Sequence, residues 1–128
     1  MYKIFFHMDD YGRSTKISKS ILKCIKSGYI NSVSVMMGFT NLNTHKELLK
    51  TKIKTKLHIN LTENSQIYFR KKKKLKNLNF LSLLFADNNM KTVLKKRIDV
   101  QIEKYISIFG TKNLGIDGHE HVHIIPWV

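Results

Sequence analysis

Short apolar segments with a two-residue period alternate along this chain with segments of three- to four-residue period. No other feature restricts the fold as much. Strand then helix, repeated, argues for an α/β fold with parallel strands. Residues 3–8 read as a buried strand, and Asp9-Asp10-Tyr11-Gly12 breaks the pattern. Ser14 is placed to cap a helix whose Ile17, Ile21, Leu22, Cys24 and Ile25 share a face. Gly28 is placed to end that helix in a left-handed cap. Residues 30–37 read as the second strand, with Val33, Val35 and Met37 alternating against Ser32, Ser34 and Met36. A short helix is expected over 43–50, with Leu48 and Leu49 as its apolar residues. Residues 56–62 read as the third strand, with Leu57, Ile59 and Leu61 on one face and His58, Asn60 and Thr62 on the other. The polar, lysine-rich stretch 63–77 is expected to be a loop, and 80–85 a short helix or lid. The clearest helix covers 90–109, where Val93, Leu94, Ile98, Ile102, Ile106 and Phe109 recur at helical spacing before Gly110. A last short strand, 114–116, opens into a histidine-rich segment. With 128 residues, no internal repeat and Pro126 as the sole proline, a single domain is expected.

Three polar clusters lie in or just after these strands: Asp9-Asp10, His58 with Asn60, and His119-Glu120-His121-Val122-His123. Parallel α/β folds gather ligands at the carboxyl ends of their strands, so the clusters can converge. Two adjacent carboxylates at the end of an apolar strand are costly to bury without a cation. A divalent ion would bind one and leave the other free to take a proton. Taken alone, the acids could simply cap a turn, and His58 could be a hydrogen-bonded structural residue. Three histidines at alternate positions beside two acids point instead to metal binding. If that segment is extended, His119, His121 and His123 share a face. One of them as ligand, with the others as hydrogen-bonding neighbours, is the expected arrangement. One Asp and two His make an open site with positions left for water and substrate, as hydrolysis of an amide or ester needs. The same donors also suit non-haem iron.

Composition narrows the function. The formal charge of +14, from 23 basic and 9 acidic residues, raises nucleic acid as a partner. The charge is nearly all lysine, with only Arg13, Arg70 and Arg97 as arginine, and the acidic pair at a strand end does not fit nucleic acid. The dense run 70–74, behind Tyr68 and Phe69, reads as a solvated loop. The apolar content of 42% is that of a globular chain, and no run reaches the roughly 18 apolar residues of a membrane span. The apolar stretch at the start is too short for an export signal, so a cytoplasmic location is expected. Cys24, the single cysteine, rules out an intrachain disulfide and reads as a small core residue.

Four motifs occur in order: His7-Met-Asp-Asp-Tyr-Gly12, Gly28-Tyr-Ile-Asn-Ser-Val-Ser-Val-Met36, Leu57-His-Ile-Asn-Leu-Thr62 and Asp117-Gly-His-Glu-His-Val-His123. Together they resemble the YdjC-like carbohydrate deacetylases, across essentially the whole chain. The resemblance implies a distorted (β/α) barrel related to the polysaccharide deacetylases. It implies removal of acetyl from N-acetylated sugars or oligosaccharides, with one divalent ion, usually magnesium. Two imidazoles among the ligands also suit zinc. By position, Asp10, His58 and His119 match the metal ligands and Asp9 the general base, with Asn60, His121 and His123 in support. Family members tend to be cytoplasmic and often homodimeric. Two departures stand out. Met8 replaces a small residue, and family members continue well beyond Val128. The chain is therefore expected to be a single, truncated or split YdjC-like domain over 1–128. The absent part would supply the remaining strands, an arginine and an acid. A non-catalytic metal- or sugar-binding remnant is the alternative.

Overall fold

The computed structural model describes residues 4–63, 78–112 and 115–128. Strands β1 (His7–Tyr11), β2 (Ser32–Val35), β3 (Lys54–Ile59) and β4 (Ile116–Gly118) form one parallel sheet in the order β1-β2-β3-β4. Spatial order equals chain order, so each crossover adds the next strand on the same side. Helix α1 (Thr15–Lys26) links β1 to β2, and α2 (Leu42–Leu49) links β2 to β3. Helices α3 (Phe80–Leu84) and α4 (Asn88–Phe109) lie between β3 and β4. This is the stepwise growth of a (β/α) barrel, and the sheet is open rather than closed. The fold is α/β, a partial barrel.

Local chemistry places the helix starts. Ser14, Asn41, Asn79 and Asp87 each accept a hydrogen bond from the backbone N–H three residues on. Such caps contribute about 1 kcal/mol each. At the end of α1, Gly28 takes φ 74°, and its N–H donates to the Ile25 carbonyl at 3.0 Å while that of Tyr29 donates to Cys24 at 3.1 Å. A side chain would strain that left-handed exit, so glycine stands there.

The core lies where the two middle strands meet the helices. Val33, Val35, Leu57 and Ile59 pack with Ile21 and Leu22 of α1, and with Leu94, Ile98 and Tyr105 of α4. Each such side chain contributes about 1.5–3 kcal/mol by leaving water. Helix α4 turns Leu94, Arg97, Ile98, Gln101 and Tyr105 inward. Val93 lies one position off that stripe and is exposed, as is Leu49 on α2.

Several boundaries differ from the sequence expectation. The first strand is not 3–8. Pairing starts at His7, because its partner Ser32 is the first residue of β2. Ile4, Phe5 and Phe6 are 72%, 65% and 58% exposed rather than buried, since no described element covers this sheet edge. The third strand ends at Ile59, where a turn built by Asn60 begins, and the last strand is Ile116–Gly118. The extended segment that would put His119, His121 and His123 on one face is not what forms. Residues His119–Ile124 form a 3-10 turn, in which Glu120 and His121 take φ 51° and 58°. Leu114, the basic run 70–74 and all of the expected loop except Glu63 lie outside the described residues. Among the described residues no helix is long and apolar enough to cross a membrane.

Candidate metal centre

The strand ends bring the polar clusters together. Register between β1 and β2 runs His7 with Ser32, Met8 with Val33, then Tyr11 with Val35. Asp9 and Asp10 thus stand opposite the single residue Ser34, which makes a bulge. Bulges bend an edge strand and re-aim side chains. Asp10 adopts φ 68°, a left-handed conformation that aspartate tolerates better than most residues. Its side chain meets His58, near the end of β3, and His119, just past the end of β4.

Asp10 Oδ1 lies 3.1 Å from His119 Nδ1 and 3.4 Å from His58 Nε2. The two rings meet edge to face, with centroids 5.5 Å apart. One ligand atom from each of the three residues lies within 4.8 Å of the others. Donors that share an ion at about 2.1 Å stand at most about 4.2 Å apart, and the 3.1 and 3.4 Å from Asp10 Oδ1 to the two rings fall within that reach. A second observation tests the fit. Asp10 Oδ1 and His119 Nε2 are buried, and no described residue hydrogen-bonds to either. A cation between the rings would satisfy the Asp10 oxygen, which faces His58 Nε2 and His119 Nδ1, whereas His119 Nε2 points to the other side of its ring, 3.4 Å from Glu63 Oε1.

A charged frame holds this triad. Arg13 donates to Asp10 Oδ2 at 3.0 Å and grips Glu63 with two nitrogens, one of them at 3.2 Å. Glu63 Oε1 also lies 3.4 Å from His119 Nε2. Burial works against the Arg13 cation, but Glu63 and Asp10 outweigh it and raise its pKa above the ordinary value. Asn60 builds the turn that carries Glu63: its Oδ1 accepts from the N–H groups of Thr62 and Glu63, and its Nδ2 donates to the Glu63 carbonyl. Gln101 of α4 secures the Asn60 backbone from both sides.

The expected base, Asp9, sits in a neighbouring group. It lies 3.1 Å from His7 Nε2 and is 59% exposed at its side chain. His7, Asp9 and Asp117 form a second set of close donors. His7 is also held by Ser32 at 2.6 Å and by Ser34 at 2.7 Å. Asp117 connects the two groups, with Oδ1 at 2.6 Å from His58 Nδ1 and Oδ2 accepting from Ser34. Burial would raise the Asp117 carboxyl, but the hydrogen bonds of His58 and Ser34 and the charges of His58 and His7 hold it below the usual range. His121 and His123 are exposed, with rings 6.2 Å apart, and no described contact ties either to the triad.

Sequence reasoning missed Arg13, Glu63, Ser34, His7 and Asp117 as parts of this arrangement. Only Asp117 carried a signal: it stands in register with His58 on the next strand, which becomes visible once the strands are paired.

Fold and site define a class: an α/β protein with an Asp-His-His cluster, able to share one ion, at the strand ends. The YdjC-like protein family matches residues 3–128, and the chain belongs to that family. The chain is similar to the carbohydrate deacetylase of Mus musculus, at 25% identity over 131 residues, covering 94% of this chain and 42% of that protein. The Danio rerio carbohydrate deacetylase is 23% identical over 133 residues, covering 92% of this chain and 41% of that protein. The Homo sapiens carbohydrate deacetylase is 23% identical over 131 residues, with 94% and 41% covered. The chain spans about two fifths of the length of the curated relatives it matches.

Proposed function

We propose that this chain carries the metal-binding part of a hydrolase that removes acetyl groups from N-acetylated sugars or oligosaccharides. The convergence of His58 and His119 on the buried, unbonded Oδ1 of Asp10 carries the reading. The family and the relatives' name, carbohydrate deacetylase, support it. A divalent ion at this triad would supply Lewis acidity to an acetyl carbonyl and to water. Magnesium follows from the family resemblance, while the two imidazoles also suit zinc. Arg13 holds Asp10 by Oδ2, which leaves Oδ1 toward the histidines. Asp9 keeps an exposed carboxylate in the neighbouring group with His7 and Asp117 and takes the role of proton acceptor from water. Asn60 supports the site through the Glu63 turn, and His121 and His123 follow His119 in the same 3-10 segment. A cytoplasmic homodimer completes the proposal.

A second reading is a non-catalytic remnant that binds metal or sugar. The grouping of Asp9 with His7 and Asp117, apart from the Asp10, His58 and His119 cluster, favours it. Acetate release from N-acetylglucosamine oligomers separates the two. It should be measured with magnesium, with zinc and with chelator. Release that needs the ion and vanishes in Asp10→Ala supports the enzyme. Ion uptake without release supports the remnant. Neither uptake nor release removes both.

A further inference from the structure

We infer that Asp117 is a positioning residue, which locks the His58 ring so that Nε2 faces Asp10 and His119. The inference rests on the reading of this cluster as a metal centre, and it adds a residue to which that reading assigns no role.

His58 and Asp117 are register partners on β3 and β4, so the sheet itself sets their side chains next to each other. Asp117 Oδ1 stands 2.6 Å from His58 Nδ1. An ionised carboxylate only accepts, so Nδ1 carries the hydrogen of that bond. The other nitrogen, Nε2, then presents its lone pair, and it is Nε2 that lies 3.4 Å from Asp10 Oδ1. The carboxylate is itself anchored, since Ser34 of β2 donates to its other oxygen. The series His7, Ser34, Asp117, His58 therefore ties all four strands to the orientation of one ring. A carboxylate behind a ligating imidazole fixes tautomer and rotation and raises the basicity of the ligating nitrogen.

Two readouts test this, one of which needs no ion. Nitrogen NMR of the ion-free protein is expected to show His58 as the tautomer with hydrogen on Nδ1. In Asp117→Asn that preference is expected to be lost. Titration calorimetry with Zn²⁺ is expected to give roughly 10- to 100-fold weaker binding for Asp117→Asn. Ser34→Ala, which removes only the anchor, is expected to give a smaller loss and guards against a misfolded Asp117 variant. Parent-like zinc affinity and an unchanged His58 tautomer in a folded Asp117→Asn would overturn the inference. If the parent takes up neither zinc nor magnesium, the metal reading fails. The tautomer readout then decides by itself whether Asp117 orients the ring.

Discussion

His45 and His58 are 1% and 4% exposed, yet the fold uses them in opposite ways. His45, on α2, sits between the rings of Tyr11 and Phe109, with centroids 6.4 and 6.0 Å away. Neither of its nitrogens has a hydrogen-bond partner among the described residues. Burial first, and Lys104 second, push its pKa down to about 4. His58 has a carboxylate at each nitrogen and a second imidazole against its face. Equal removal from water therefore makes a neutral spacer in one place and a donor site in the other. Burial does not decide this; the surrounding donors do. The two regions also touch through β1. A side chain on Gly12 (φ +89°) would meet the Met36 carbonyl at 2.4 Å and the His45 ring at 3.0 Å, so the turn after Asp10 packs on the spacer histidine.

The largest expected effect breaks the contrast directly. His58→Ala is expected to weaken binding of a divalent ion by more than the roughly 10- to 100-fold that loss of an outer partner costs. His45→Leu is expected to leave it unchanged. Calorimetry on both variants checks this, and a comparable loss from His45→Leu would erase the distinction.

Acid should act on the other histidine. The folded state keeps His45 neutral down to about pH 4, whereas the unfolded chain protonates it from about pH 6.5. Between these values the unfolded state binds more protons, so stability falls as pH falls. The group's contribution is complete above the window, and its loss across the window is about 3 kcal/mol. The lowered carboxyl of Asp117 acts below its ordinary value of 3.8, outside this window. Urea denaturation at both ends of the window should show the loss in the parent and a flatter profile in His45→Leu. An unchanged slope in the variant would assign the acid sensitivity elsewhere.

A smaller effect sharpens the role of the frame. Asn60→Ala leaves the N–H groups of Thr62 and Glu63 without their acceptor and is expected to destabilise the protein by about 2 kcal/mol. A thermal melt measures this. A midpoint equal to the parent's would show that the turn stands without Asn60.

Much of the fold was legible because strand and helix periods are local properties. Ser14 and Gly28 mark the ends of α1, and the α4 stripe through Leu94 and Ile98 runs as its spacing implies. The first strand was misplaced because hydrophobicity alone cannot tell whether an edge has a neighbour. Ile4, Phe5 and Phe6 look like core residues in sequence and are exposed at an edge that no described element covers. Whether the histidine segment is extended was left open, because alternation in sequence does not reveal the left-handed φ of Glu120 and His121.

Residue chemistry was written in the chain from the start: acids at one strand end, imidazoles at two others, and spacings that make parallel strands. Those properties depend on neighbours within a few residues, so the sequence determines them. Which nitrogen faces which oxygen was decided only by the tertiary structure. Strand register sets His58 beside Asp117, a bulge turns Asp10 toward His119, and a turn delivers Glu63 to Arg13. Distances of about 3 Å between remote residues depend on register and bulge, which no single stretch of sequence contains.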